Sequence, residues 1–272
     1  MRNILCVTLI ALLGGCTSTS VTEKYQDKRN DIINVKDKVI EFETGNVLIG
    51  SVSRLYMSNK CLLIADHKSV DKQIHIFNKN DFSYLTSIGN FGEGPEEITV
   101  MGCLAIDEAH HQLYVSDHAK QKIFSYDMDS VMVDSLYKPQ VKTAMNETLF
   151  PSEYQYINDT LSIAVLIKPT STSTFNQFLG RWNMNTGEMI PMKYTHPDIQ
   201  KKRITFAASE KAGIYVECYT RHDLMTICSL DGELLYNIYG PDWDGGNGNK
   251  LQSFGTVMIG NCLLYTSPSP RD

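Results

Sequence analysis

Residues Leu85–Asp127 read LTSIGNFGEGPEEITVMGCLAIDEAHHQLYVSDHAKQKIFSYD. Ile88-Gly89 closes a β-rich run, and Gly89, Gly92, Gly94 and Pro95 then break the pattern within seven positions. Glycine reaches backbone angles with positive φ at little cost and proline sets the exit direction, so this is a corner between two sheet units. Leu104-Ala105-Ile106, Leu113-Tyr114-Val115 and Ile123-Phe124-Ser125-Tyr126 follow as short β-rich runs separated by polar turns.

The same order recurs along the chain. Leu63-Ile64-Ala65-Asp66-His67 aligns with Tyr114-Val115-Ser116-Asp117-His118 at an offset of 117 − 66 = 51. Gln73-Ile74-His75-Ile76-Phe77 aligns with Lys122-Ile123-Phe124-Ser125-Tyr126 at 123 − 74 = 49, which fits a shorter turn in the second copy. A looser third copy runs through Leu161–Ile167, Phe178–Asn183 and Met189–Met192. A fourth comprises Ile204–Ala208, Gly213–Cys218, Leu224–Cys228 and Leu234–Ile238, ending in the corner Tyr239-Gly240-Pro241. Thr256–Ile259 opens a fifth.

A fixed period of about 50 residues predicts a propeller or solenoid. Units of four short antiparallel strands are propeller blades, which must pack on their neighbours because none can bury two faces alone. No window longer than about twelve residues shows a helical apolar period, so the fold class is all-β. Residues 39–261 hold about four and a half four-stranded antiparallel blades, against six or more for closure: a truncated β-propeller. Val39-Ile40-Glu41-Phe42 is expected to be an N-terminal strand pairing with the last blade. A β-sandwich is the alternative fold, which the regular spacing disfavours.

The two ends differ from the body. Arg2 precedes an apolar run, Ile4–Leu13, too short to span a bilayer but suited to a signal-peptide core. It ends in Leu13-Gly14-Gly15-Cys16, which resembles a bacterial lipobox. Residues 1–15 are then a signal peptide, and Cys16 carries a covalent diacylglycerol. Thr17 after the cysteine implies sorting to the outer membrane, and residues 16–38 read as a polar tether. Residues 262–272, CLLYTSPSPRD, resemble the translation of a sequencing-library adapter and are expected to be non-native.

The corner Gly92-Glu93-Gly94-Pro95-Glu96-Glu97 followed by the LYVSD run resembles an NHL-type propeller repeat. Together with the lipobox and tether, it is similar to the TolB-like six-bladed propeller lipoproteins of Gram-negative bacteria. Glu96 stands where that corner often has glycine. The resemblance implies a ring-shaped fold and an envelope location. It also brings an enzymatic possibility, since related propellers include hydrolases and lyases that hold calcium or zinc near the axis.

The chemistry in the chain is sparse. A formal charge of −6 argues against a nucleic-acid surface. Of seven cysteines, Cys61, Cys103, Cys218 and Cys228 lie in the body, too scattered for a disulfide scaffold. Cys218 and Cys228 flank Thr220–Asp223 and could face each other across a hairpin. Asp66-His67 and Asp117-His118 sit at matching positions after the second strand of their units. They either converge at a channel mouth, to bind a ligand or metal or to act as acid and base, or the aspartates cap turns with the histidines in solvent. His110-His111 belongs to a tight surface turn. Asp242–Asn249 has calcium-like composition without the EF-hand order, and reads as an inter-blade loop. No nucleophile elbow, zincin motif or phosphate loop is present in the sequence. The expectation is therefore a lipid-anchored binding module for a protein, peptide or glycan, with no cofactor beyond the lipid. The alternatives are a metal-dependent hydrolase or lyase and a structural accessory of an outer-membrane complex.

Overall fold

The computed structural model describes residues 21–28, 34, 36–199, 203–249, 255–259 and 262–266, the last two as backbone alone. Four antiparallel four-stranded sheets follow one another along the chain. The first contains β2 (Ser53–Met57), β3 (Cys61–Asp66), β4 (Lys72–Asn78) and β5 (Tyr84–Asn90). The second contains β6 (Met101–Asp107), β7 (Gln112–Asp117), β8 (Lys122–Asp127) and β9 (Gln140–Ala144). The third contains β10 (Phe150–Asn158), β11 (Leu161–Pro169), β12 (Phe175–Trp182) and β13 (Met189–Pro191). The fourth contains β14 (Ile204–Ser209), β15 (Ile214–Tyr219), β16 (His222–Ser229) and β17 (Leu234–Tyr239). A further pair, β18 (Gly255–Ile259) and β19 (Cys262–Thr266), begins a fifth.

Side-chain direction shows that these sheets form a ring series rather than a sandwich. Alternate residues of a strand point to opposite faces. Leu113 and Val115 of β7 pack toward the first sheet with Leu63, Ile74 and Ile76. Tyr114, between them, packs toward the third sheet with Tyr154, Leu166 and Trp182. In β11, Ala164 and Leu166 join that same seam, while Ile163 and Val165 turn to Tyr215, Tyr219 and Leu224 of the fourth sheet. Each inner sheet is therefore buried on both faces, which is why its middle strands are continuous apolar runs. A sandwich has one core between two layers; here, among the described residues, three seams alternate with four sheets, and a small cluster of Val216 and Cys218 lies on the other face of the fourth. Truncating Trp182, 1% exposed in the second seam, would cost about 3–5 kcal/mol.

Several expectations are corrected. Val39–Phe42 forms no strand; Phe42 instead stacks on Phe82 with ring centroids 4.5 Å apart. The strand supplied by the N-terminal segment is β1 (Glu23–Tyr25), inside the stretch read as tether. It pairs in parallel with β17, Glu23 opposite Asn237 and Tyr25 opposite Tyr239. Cys218 lies opposite Met225 and Cys228 opposite Tyr215, so the two thiols are three ladder positions out of register, and all four body cysteines are free and buried. A six-residue helix, α1 (Met128–Val133), separates β8 from β9; Asp127 caps it by accepting the Ser130 amide at 2.7 Å. The lipobox, Leu13 to Cys16, and Thr17 lie outside the described residues.

Candidate functional site

One end of the blades gathers the connections that lead into the first strands together with the β3–β4 and β7–β8 turns. The Gly-rich corner lies here and is a built structure rather than a slack loop. Gly89 has φ +72°, the left-handed region that favours glycine. At Gly92 a Cβ would sit 2.0 Å from the Glu97 carboxylate, so the acid needs a bare backbone beside it. Glu97 accepts the Gly94 amide at 2.8 Å, closing the turn that Pro95 helps to shape. Lys120, from the next blade, then donates to the carbonyls of Gly92 (3.3 Å), Gly94 (2.6 Å) and Glu97 (2.6 Å).

Asp66 and Asp117 are turned to these connections. Asp66, 2% exposed, accepts the amides of Gly50 (2.7 Å) and Lys68 (2.9 Å). Asp117, fully buried, accepts those of Thr99 (2.8 Å), Val100 (3.2 Å), Ala119 (3.0 Å) and Lys120 (3.2 Å). Each carboxylate thus clasps the segment entering its own blade and also caps its own turn. The turn-capping role holds for both, and their oxygens are already engaged.

The histidines do something that neither sequence alternative foresaw. His67 Nδ1 donates to the carbonyl of Met101, at the start of the next blade's first strand, at 3.1 Å. His118 reaches the next blade too, its ring lying 5.9 Å from that of Phe150 at the start of β10 and beside the Pro151 backbone. The pair is an Asp clasp within a blade followed by a His tie to its neighbour. In each ring the remaining nitrogen, Nε2, is buried and makes no hydrogen bond. Burial lowers the pKa of both rings, nearby Arg54 opposes protonation of each, and His67 opposes it further at His118. Gly102 provides the room: a Cβ there would lie 2.4 Å from His118 Nε2 and from Ser116 Oγ. Ser116 fills the resulting bulge, accepting the Cys103 amide at 2.8 Å.

Beside this array is an open cavity of about 540 Å³, walled by Val52, Arg54, His67, Val70, Phe91 and Thr99. Arg54 of β2 pairs with Glu153 of β10 at 2.8 Å, reaching past the intervening first strand of the second blade. Both partners are half-exposed, so the pair shapes the mouth more than it stabilises it. Of the predicted residues, His67 alone lines the cavity, and Arg54 was not anticipated.

The opposite end holds two further features that sequence reading missed. A cavity of about 370 Å³ lies between the first two blades, with Cys61, Leu63, Ile106, Met128 and Met132 among its walls and Glu108 at its edge. Nearby, ligand atoms of Asp107, His110 and Asp159 come within 4.8 Å of one another. Their polar groups are engaged internally: His110 Nδ1 lies 2.7 Å from Asp107, and Tyr156 donates to Asp159 at 2.8 Å. His110 is exposed as expected, and His111 pairs with Asp129 at 2.7 Å. In the Asp242–Asn249 loop, Asp244 accepts the amides of Gly248 (3.1 Å) and Asn249 (2.9 Å). Among the described residues, no helix is long and apolar enough to cross a membrane.

Sheets of four strands joined in series through apolar seams define a β-propeller. The chain belongs to the DUF5128 family of 6-bladed β-propellers, whose family model matches residues 17–179. Solved propeller structures resemble it at low identity. A member of the DUF4221 family from Bacteroides vulgatus is 11% identical, covering 67% of this chain and 56% of its own, with a TM-score of 0.47. A Bacteroides fragilis protein whose name describes it as exported is 14% identical, covering 80% and 59%, with a TM-score of 0.48. The Nidogen/Laminin complex gives 10% identity, 77% and 68% coverage and a TM-score of 0.48. The chain thus spans 56–59% of the length of the first two. A search of curated proteins found no match.

Proposed function

We propose that this propeller is a lipid-anchored binding module of the cell envelope, held at the outer membrane through Cys16. Its recognition surface is the end bearing Asp66, His67, Asp117 and His118, and its ligand is a protein, peptide or glycan. One observation carries the reading: the oxygens of Asp66 and Asp117 are spent on backbone amides. What remains toward the 540 Å³ cavity is contact chemistry, with the Arg54 cation, a neutral imidazole edge and the apolar Val52, Val70 and Phe91. That set suits recognition better than proton transfer or metal ligation.

The test uses the full chain, lipobox intact, expressed in an envelope-bearing host. A photocrosslinking amino acid at Lys68, on the mouth, should capture ligand, whereas the same probe at Asp81 should not. Arg54→Ala combined with Val70→Glu should lower the Lys68 yield by about tenfold. Stoichiometric zinc or calcium in the purified protein, together with hydrolytic or lyase turnover, would overturn the reading in favour of an enzyme. One dominant protein captured equally from Lys68 and Asp81 would instead indicate a structural accessory.

A further inference from the structure

The N-terminal strand ties down the segment that was read from sequence as a free tether. Beyond the ladder, Asn237 N donates to Thr22 O and Gln26 N donates to Tyr239 O, both at 2.9 Å. Glu23 is held from two sides: Asn237 Nδ2 donates to it at 3.1 Å and Tyr239 Oη at 2.5 Å. The Tyr25 ring stacks on Tyr239 at 4.6 Å, with an interplanar angle of 14°. These contacts lie on β17, the last of the fourth blade's own four strands, with β1 as the sheet's edge. A free tether ending at residue 38 could let the propeller roam roughly 75 Å from the acyl chains. A chain pinned at Thr22 leaves only residues 17–21 as leash, a reach of about 20 Å.

The surface around the pinned strand suits that proximity. Val21 is 81% exposed and Tyr25 66%, and Leu235 and Tyr236 are exposed beside them. Lys24 Nζ lies 5.8 Å above the Tyr236 ring. Tyrosines with an apolar body and polar tip, flanked by lysines whose stems lie along apolar surface, match headgroup depth in a bilayer. Lys24, Lys28 and Lys193 are offset by Glu23, Asp27 and Glu233, the last paired with Lys193, so attraction to anionic lipid is not the driving force.

We infer that the outer rim of the fourth blade, around Val21, Tyr25, Leu235 and Tyr236, is the face that lies on the bilayer. The propeller then stands on its edge with its channel axis roughly along the membrane plane, leaving both channel ends open to solvent. This inference rests on the proposed lipid anchor at Cys16.

The experiment places the full-length acylated protein in vesicles of phosphatidylethanolamine and phosphatidylglycerol. An environment-sensitive fluorophore is attached at Tyr236→Cys or, on the first blade, at Asp81→Cys, and quenched by spin-labelled lipid. Quenching several-fold stronger at position 236, and unchanged by high salt, is the expected result. Equal quenching at the two positions with Cys16 acylated, as read from the intact mass, overturns the rim placement and leaves the anchor standing. An unacylated Cys16 overturns the anchor and the placement with it. Glu23→Ala supplies a second readout. It should bring quenching at 236 down to the level at 81 and speed trypsin cleavage after Lys24 about tenfold. Unchanged cleavage would mean that Glu23 does not hold the strand.

Discussion

Blades one and two and blades three and four solve one mechanical problem with different residues. Every blade must hold the segment entering it and must be tied to its neighbour. Blades one and two use the Asp clasp and His tie, at positions 66–67 and again at 117–118. Between blades three and four the tie is Gln155. Its amide donates to Ala208 O at 2.8 Å and accepts from Ala208 N at 2.9 Å, so one side chain imitates a strand partner. In blade four, Asp223 holds the outgoing corner by accepting the Asp242 amide at 3.0 Å. Its outer strand is locked by a polar chain running from Thr226 through Asn237 to Glu23 and Tyr194. The structural period therefore survives where the sequence period fades, because the geometry demands a tie but not a particular residue.

Substitution of the clasps breaks this comparison most sharply. Asp117→Ala leaves four backbone donors without their acceptor and should lower stability by about 3–5 kcal/mol. Asp66→Ala strands two amides, one near the surface, and should cost about 1–3 kcal/mol. Urea midpoints of the two variants measure the difference. If the two costs are equal, the number of donors held is not what sets the strength of a clasp.

Gln155→Leu tests the other solution at smaller scale. Two neutral hydrogen bonds are lost while the side-chain volume is kept, so the expected loss is about 1–2 kcal/mol. Removing the buried Ala208 side chain as well should add only the roughly 0.5–1 kcal/mol of a glycine in a strand, independently of Gln155, because the partner atoms belong to the Ala208 backbone. A loss as large as that of Asp117→Ala would place Gln155 among the principal ties of the molecule.

What could be read in the sequence follows from burial. Strands buried on both faces, such as Leu113-Tyr114-Val115 and Ile163-Ala164-Val165, are unbroken apolar runs and were found. The first strands β2 and β10 are only partly buried along their length, so Ser53-Arg54-Leu55-Tyr56-Met57 mixes charge with apolar residues and carries no clear period. Helix α1 spans six residues, less than two turns, and shows no measurable period. β1 escaped detection because its partner is more than 200 positions away and its stabilisation lies in Glu23 meeting Asn237 and Tyr239. At the site, the repeated Asp-His pair was visible, but its division of labour was not. The aspartate reaches back about 17 residues and the histidine forward about 33, and only the ring geometry brings those partners to it. Lys120 on the corner, Arg54 against Glu153, and Asp107 with Asp159 are likewise gathered by the fold.

The histidine ties carry the smallest effect and one with a definite pH signature. His67 spends one ring nitrogen on a carbonyl, His118 lies against Phe150, and the buried Nε2 atoms of both make no hydrogen bond. A proton added there would bring an unpaired donor and a charge into a desolvated place beside Arg54, so burial lowers both folded-state pKa values below 6.5. His75 and His222 are lowered for the same leading reason. With the folded value below the unfolded one, the unfolded chain binds protons more readily. Stability is then full above the unfolded value and falls as pH drops through it toward the folded value. His110 has the opposite sign, because Asp107 raises it, but it is exposed and works against four lowered rings. The unfolding midpoint should therefore decline from pH 7 to pH 5, before the carboxylates titrate. His118→Gln, which keeps a polar side chain while removing the titration, should flatten that decline, and His110→Gln should steepen it slightly. An unchanged slope in His118→Gln would mean that this ring is protonated without penalty and that the tie between blades two and three does not depend on its neutrality.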